Sequence, residues 1–105
     1  MIKNLEQYKK VRDVDLTIDN LIDFESDIVK HWEGGDIHAP VHLSNGNEEQ
    51  VIEVFSRISY DDHIFSTWRS HYHALCHGIS PEWIKNEILE GRSITLCNLD
   101  HNFYS

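Results

Sequence analysis

Cysteine is scarce in this sequence, and long apolar runs are missing from it. Cys76 and Cys97 are the only two cysteines among 105 residues, too few for the disulfide framework of a small secreted domain, so we expect two reduced thiols. No apolar run approaches the roughly 18 residues of a membrane-spanning helix. The first residues, MIKNLEQYKK, lack the apolar core of a signal peptide. These absences predict a cytoplasmic protein without a membrane segment.

Basic residues are also few. Nine lysines and arginines stand against 18 acidic residues, which gives a net charge of −9. Residues 1–12 carry a balance of +3, so the remaining chain carries −12. A surface this acidic repels nucleic acid and anionic lipid, and we expect neither as a partner. An anionic ligand would therefore need a local basic site, and Arg69 is one of the few residues able to provide it.

The clearest helix signal lies in residues 17–33. Apolar residues recur there every three or four positions, as in a helix with one buried stripe. The stripe consists of Ile18, Leu21, Ile22, Ile28, Val29 and Trp32. Asp15 or Thr17 can cap the start of this helix, and Gly34 with Gly35 can end it.

A polar, glycine-bearing loop at residues 34–45 follows and carries His42. Ser44 or Asn45 can cap the next helix. The apolar spacing predicts that this second helix covers residues 46–58.

The second half of the chain adds one strong helix signal and two weaker strand signals. Ser80 followed by Pro81 is a typical helix start, and Gly91 is a typical helix end. Residues 63–67 predict a short buried strand, and residues 93–98 could form another. The sequence therefore predicts a helix-rich α/β fold with about four helices and one or two short strands.

The stretch at residues 63–79 changes from strand character to helix character halfway, which places Arg69 and His71 on a strand-to-helix turn. Such turns bind anions in α/β folds, because helix amides point outward there. Arginine presents a rigid fork of donors that matches phosphate oxygens. The residues alone thus favour a phosphate clamp at Arg69, although a surface arginine that stacks on Trp68 or pairs with an acid explains the pattern too.

The histidines of the same stretch admit two other interpretations. His73 and His77 are four residues apart, a spacing that suits a zinc ligand pair, with Cys76 nearby. No second cysteine stands at ligand spacing, so we expect no metal site. A nucleophilic pair of Cys76 with either histidine is conceivable, but a buried thiol is the expectation for Cys76, because free cysteines are usually buried.

Three motifs follow one another in a fixed order. They are the step His42-Leu43, Gly-Asn-Glu-Glu at residues 46–49, and Asp-x-(hydrophobic)-x-x-x-Trp-Arg-x-His-x-His-Ala-Leu at residues 62–75. These motifs resemble the alpha subunit of the thiamine-diphosphate-dependent dehydrogenases, which act on pyruvate, branched-chain 2-oxo acids or acetoin. The family has Gly-Gln-Glu-Ala at the second motif, so two of its positions differ here, and it has tyrosine in the position of Trp68. The resemblance spans most of the chain, from about residue 16 to residue 93, and implies the amino-terminal portion of a thiamine-diphosphate-binding fold.

The resemblance implies roles for five residues. Arg69 takes the family's contact with the cofactor diphosphate, and Trp68 stands beside it without the tyrosine hydroxyl. His42 and His71 match histidines close to the thiazolium and substrate, so they are the candidate catalytic residues. His73 matches a less constant histidine of the same cofactor-binding site. The complete family site holds thiamine diphosphate and Mg²⁺.

The resemblance is to part of a subunit only. Family members continue past the position of residues 102–104 into a Gly-Asp-Gly…Asn motif that binds Mg²⁺, and a beta subunit completes the cofactor site. We therefore expect a truncated or partial alpha subunit that binds no cofactor and is inactive by itself. Residues 1–15 form a basic segment, with a short helix or a frayed terminus at residues 2–12, and residues 16–105 form one partial domain.

Two partners are expected. A beta subunit would be the partner within a full-length dehydrogenase. A homo-oligomer is expected as well, because the carboxyl-terminal segment exposes apolar side chains if nothing covers them; the candidates are Ile94, Leu96, Phe103 and Tyr104, with Trp32 and Phe55 beside them. The alternative to an enzyme fragment is a small non-enzymatic helical interaction domain that oligomerises through its apolar faces.

Overall fold

A computed structural model describes residues 8–105. It confirms the helix-rich α/β expectation, with four helices and two short strands in that range. The helices are α1 (Ile18–Glu33), α2 (Glu48–Phe55), α3 (His71–Cys76) and α4 (Pro81–Leu89), and the strands are β1 (Ile64–Phe65) and β2 (Phe103–Tyr104). A short 3₁₀ helix, Leu99–His101, precedes β2. No helix within residues 8–105 has the length and apolarity needed to cross a membrane.

The start of α1 is a capping box. The hydroxyl of Thr17 accepts a hydrogen bond from the Asn20 N–H at 3.1 Å, and the Asn20 side chain accepts one from the Thr17 N–H at 2.9 Å. Thr17, and not Asp15, is therefore the cap. Gly34 closes the other end, and Gly35 follows with a φ of +79° that favours glycine.

Helix α2 is shorter than the predicted 46–58. The helix begins only at Glu48. Gly46 belongs to the turn before the helix, and its N–H donates to the Glu48 side chain. Neither Ser44 nor Asn45 is its cap; Asn47 is the capping residue and makes no side-chain cap hydrogen bond. At the other end, Ile58 donates to a carbonyl three residues back, which tightens the chain into a turn.

The prediction of a second strand at residues 93–98 is wrong. The Thr95 N–H bonds to the Arg92 carbonyl in a turn, and the second strand lies at Phe103–Tyr104. It pairs in parallel with β1, with Ile64 opposite Phe103. β1 itself is shorter than the predicted 63–67, and it is not the buried strand that the sequence predicts, because Ile64 is half-buried and Phe65 is exposed. Phe103–Tyr104 forms a strand because it pairs with β1, some forty residues earlier in the chain. A local sequence pattern cannot indicate so distant a partner.

Residues 2–12, where the sequence leaves both a short helix and a frayed terminus open, fall partly outside the described residues. Residues 8–12, which the structure describes, are not helical. The backbone N–H groups of Val11 and Arg12 instead bond to the Ser56 carbonyl, and the Arg12 guanidinium lies 3.9 Å from the centre of the Tyr60 ring. Tertiary contacts with the segment after α2 therefore replace helical hydrogen bonds there.

The core is shared by all four helices and the carboxyl-terminal segment. Its buried apolar side chains are Leu21, Ile28, Ile37, Val51, Phe55, Tyr72, Ala74, Leu75, Cys76, Ile79, Ile84, Ile88, Leu96 and Phe103. Ile18, Ile22 and Trp32 of the predicted α1 stripe are exposed. Leu96, Phe103 and Phe55 are buried within the chain, so they cannot form the predicted contact between copies. Phe65, 80% exposed, and Leu99, 70% exposed, are the prominent apolar side chains near this end.

Candidate functional site

The strand-to-helix turn between β1 and α3 presents Trp68 and Arg69 to solvent. Both side chains line an open cleft of about 470 Å³. The rest of the lining is largely hydroxyl-bearing and comes from both sides of the turn: Ser66, Thr67, Thr95 and Ser105, with Ile94. The predicted position of Arg69, after a strand and before a helix, is what the structure shows.

Arg69 differs from the other three arginines in what its guanidinium contacts. Arg12 donates to the carbonyls of Ile58 and Cys76, Arg57 donates to the Tyr8 and Glu53 carbonyls, and Arg92 pairs with Glu87 and Glu90. Within residues 8–105 the Arg69 guanidinium has no hydrogen bond and no ion pair; only its backbone is bonded. Its donors are therefore available to an anionic ligand in the cleft.

His42 lies against this turn. Its ring stacks on the Trp68 indole, with 5.4 Å between the ring centres and 26° between the planes. The loop that carries His42 is tied to the turn nearby, because the Ser44 hydroxyl donates to the Arg69 carbonyl at 3.3 Å. Two predicted site residues from distant parts of the chain, His42 and Arg69, are thus brought to one place.

His71 is the first residue of α3 and is fully buried. Its Nδ1 lies 3.1 Å from Glu25 Oε2, and its Nε2 lies 2.9 Å from the Ser93 hydroxyl. Since an ionised carboxylate can only accept, Nδ1 donates to Glu25. Both ring nitrogens are engaged inside the protein, so His71 lies behind the cleft and not in its wall.

The order Ser93, His71, Glu25 has the connectivity of a nucleophilic triad. All three residues are buried; Ser93 and His71 are 0% exposed. A substrate cannot reach the Ser93 hydroxyl without opening the core. The arrangement links α1, α3 and the segment after α4, and it is not a hydrolytic site.

His73 lies on the same helix, two residues after His71, and is not among the residues that line the cleft. Its Nδ1 is 2.6 Å from the Ser66 hydroxyl, and its ring stacks over Phe55 with 5.8 Å between ring centres. Burial lowers the pKa of His73, which keeps the ring neutral at physiological pH. Its connection to the cleft is indirect, through Ser66, which lines it.

Glu25 and Ser93 are the functional neighbours that sequence reasoning missed. Glu25 is buried on α1. It stands four residues after Leu21 and three before Ile28, so it occupies the buried stripe itself. A lone acid on an apolar stripe is the signal that could have revealed it, because buried carboxylates need partners. Ser93 carries no comparable signal.

The Cys76 thiol is buried, as expected, and burial raises its pKa to about 12. A protonated thiol is a poor nucleophile, which argues against the Cys–His pair. The nearby His77 donates from Nε2 to the Asp62 carbonyl at 3.0 Å. Across residues 8–105, no three histidine, cysteine or acidic side chains are grouped as metal ligands would be.

Fold and site together define a helix-rich α/β chain with an arginine-bearing turn above a buried carboxylate. The sequence is 31% identical over 94 residues to the alpha subunit of acetoin:2,6-dichlorophenolindophenol oxidoreductase from Cupriavidus necator. The alignment covers 90% of this chain and 26% of that subunit, so the chain spans about a quarter of its relative's length. No family model matches the sequence, and no solved structure matches it. The chain is a distant relative of this alpha subunit.

Proposed function

We propose that this chain forms part of the alpha subunit of a thiamine-diphosphate-dependent dehydrogenase that acts on a 2-oxo acid or acetoin. The observation that carries the proposal is the free guanidinium of Arg69 in a hydroxyl-lined cleft at a strand-to-helix turn. The distant relationship to an acetoin oxidoreductase alpha subunit supports it. The order of His42, Arg69 and His71 along the chain supports it as well.

The residues of the cleft fit a diphosphate group. Arg69 offers a bidentate fork, and the hydroxyls of Ser66, Thr67 and Thr95 offer further donors to phosphate oxygens. Trp68 contributes an indole N–H and a ring face where the family has a tyrosine. The cofactor, when bound, supplies the carbanion that attacks a carbonyl group.

Within this proposal the histidines have separate tasks. His42 is only partly buried, and its ring lies beside Trp68, so it can exchange a proton with a substrate at the cleft. His71 has both ring nitrogens bonded to Glu25 and Ser93, so its contribution is to orient the turn that carries Arg69. His73 orients Ser66 at the edge of the cleft.

The described residues provide the anion contact without a metal contact. Residues 8–105 hold no group of three metal-ligating side chains, and the surface is acidic. Mg²⁺ and the rest of the cofactor would therefore need residues from further segments and from a beta subunit. We accordingly propose a beta subunit as partner, and no catalysis by this chain alone.

The anion site is tested by NMR titration with inorganic pyrophosphate. We expect weak, millimolar binding that shifts the Arg69 side-chain N–H and the Trp68 indole N–H, because among the described residues that line the cleft only Arg69 is cationic. Arg69→Ala should abolish the shifts. Arg57→Ala is the matched control, because Arg57 bonds to the Tyr8 and Glu53 carbonyls and is not part of the cleft lining. Equal binding by Arg69→Ala would overturn the proposal.

Calorimetry with thiamine diphosphate and Mg²⁺ tests whether cofactor binding needs residues from further segments and from a beta subunit. We expect no saturable heat at submillimolar concentrations for the chain alone. Tight, Mg²⁺-dependent binding that Arg69→Ala removes would show that the chain completes the cofactor site itself, contrary to the proposal.

A second candidate is a small non-enzymatic helical interaction domain. The exposure of Phe65 and Leu99 favours it, since large apolar side chains on a surface often mark a contact with another protein. Self-association without pyrophosphate binding at Arg69 would support this candidate over the first.

A further inference from the structure

We infer that Glu25 is the positioning residue of the candidate site: its buried carboxylate holds the His42 loop and the Trp68–Arg69 turn at a fixed separation. The inference rests on the proposed function where it concerns a ligand. It goes beyond that function because Glu25 belongs to no motif on which the proposal depends and does not line the cleft.

The carboxylate of Glu25 is surrounded by donors from two different segments. The Ser44 N–H lies 3.0 Å from Oε1 and 2.8 Å from Oε2, and the Asn45 N–H lies 3.0 Å from Oε1. His71 Nδ1 completes the set at 3.1 Å from Oε2. Charge-assisted hydrogen bonds of this kind are stronger than neutral ones, and a buried carboxylate requires them.

Those donors are adjacent in sequence to the residues of the site. Ser44 follows His42 by two positions, and His71 follows Arg69 by two positions. Glu25 therefore connects the two short backbone segments whose side chains meet at the His42–Trp68 stack. The hydrogen bond from the Ser44 hydroxyl to the Arg69 carbonyl closes the same ring of contacts.

The scaffold behind Glu25 is regular. Glu25 lies in the middle of the sixteen-residue helix α1, between the fully buried Leu21 and Ile28. A side chain on a helix interior is held more firmly than one on a loop, so α1 acts as the reference against which both segments are placed. Without the carboxylate, the loop is held against the turn by the hydroxyl contact of Ser44 and the His42–Trp68 stack, and further along by the contacts of Glu48.

Glu25→Gln tests the inference, because it keeps the size of the side chain and removes its charge. In the wild-type protein the Trp68 ring should shift the His42 ring protons, and Trp68→Leu gives their position without that effect. We expect Glu25→Gln to move the His42 resonances toward that position. Where pyrophosphate binds the wild-type chain, we expect Glu25→Gln to weaken binding by on the order of tenfold, the usual effect of losing a residue that orients a binding group.

Ser93→Ala is the matched control. It also removes a hydrogen-bond partner of His71 and so destabilises the same buried network, but it leaves the bonds of Glu25 to Ser44, Asn45 and His71 in place. We expect it to leave the His42 resonances and the pyrophosphate affinity unchanged. Glu25→Gln behaving like Ser93→Ala, folded and with an intact stack, would overturn the inference.

A measurement on the wild-type chain covers the case in which Glu25→Gln does not fold. The Ser44 and Asn45 amides should exchange with solvent as slowly as amides of the core helices, although they lie in a loop. Rapid exchange of both would overturn the inference. If the wild-type chain binds no pyrophosphate, the proposed function fails, while the ring-proton and exchange measurements still decide the role of Glu25.

Discussion

The hydroxyl of Tyr72 on α3 donates a hydrogen bond to Glu48 Oε2 on α2, with 2.7 Å between the oxygens. The same Glu48 oxygen accepts from the Gly46 N–H at 2.8 Å. Together these contacts attach the loop after His42 to the helix after Arg69. They form a second link between the segments that Glu25 joins, and this link is nearer to solvent.

Tyr72→Phe should lower the free energy of unfolding at neutral pH by about 1 kcal/mol, the usual worth of one hydrogen bond. The Gly46 N–H, and after it the Tyr72 hydroxyl, hold the pKa of Glu48 below its ordinary value of 4.5. A carboxylate with a lowered pKa stabilises the fold above its unfolded pKa, and this stabilisation disappears as the pH falls through the folded value. The difference between wild type and Tyr72→Phe should therefore shrink as the pH falls below 4.5, the ordinary value.

Urea unfolding at several pH values measures this effect. Tyr60→Phe is the control, because within residues 8–105 the Tyr60 hydroxyl makes no hydrogen bond. If Tyr72→Phe lowered the free energy of unfolding by the same amount from pH 7 to pH 3, the hydrogen bond to Glu48 would not be the cause of the loss.

The two cysteines should differ in reactivity. Cys97 is exposed, whereas Cys76 is buried with a pKa raised to about 12, so little thiolate is present at neutral pH. Iodoacetamide followed by mass spectrometry should show alkylation of Cys97 in the native chain and of both cysteines in urea. Alkylation of native Cys76 at the rate of Cys97 would contradict the structure and reopen a nucleophilic role for this thiol.

The local parts of the fold could be predicted from the sequence because their signals are local. Thr17 and Ser80 begin helices through hydroxyls that accept from the backbone a few residues ahead. Gly78 and Gly91 end helices with positive φ values, which other residues adopt only with strain. Such signals act within one helical turn, so spacing and residue type suffice to find them.

The partners of buried polar groups could not be predicted in the same way. Glu25 meets His71 across 46 residues of sequence, and β1 meets β2 across 39. Which segments meet depends on how the whole core packs. The spacing near Arg69 predicted its exposed turn, whereas the burial of His71 behind that turn required the structure.

Phe65→Ser should weaken any self-association of the chain. Phe65 lies on β1, its ring stacks on Tyr104, and it is 80% exposed. Covering apolar surface stabilises an assembly by roughly 25 cal/mol per Å², and identical chains most simply pair about a twofold axis. We therefore expect light scattering to show a dimer at high protein concentration and a shift toward the 12.3 kDa monomer in Phe65→Ser.

Trp32→Ser is the control for that experiment. Trp32 is also exposed and apolar, but it lies near the end of α1 and not on the sheet. A wild-type chain that stays monomeric at high concentration would count against self-association. Equal dissociation of both variants would count against the sheet as the contact surface.

Gly78→Ala should destabilise the protein more than Gly35→Ala, although both glycines have positive φ values, +89° and +79°. A side chain in that backbone region costs roughly 1–2 kcal/mol at either position. At Gly35 a new Cβ would have nothing within 4 Å, whereas at Gly78 it would lie 2.8 Å from Tyr60 Cε1 and 3.1 Å from Cδ1. Forcing the ring aside should add about 1–3 kcal/mol, as overpacking usually does.

The Tyr60 ring cannot move freely, because the Arg12 guanidinium lies over it and also donates to the Ile58 and Cys76 carbonyls. Displacing the ring therefore disturbs the contact between the amino-terminal segment and the end of α3. Urea unfolding of both alanine variants measures the difference, and Tyr60→Ala combined with Gly78→Ala should remove it, since the obstructing ring is then absent. Equal losses for Gly78→Ala and Gly35→Ala would show that the ring yields at no cost and that Arg12 does not hold it.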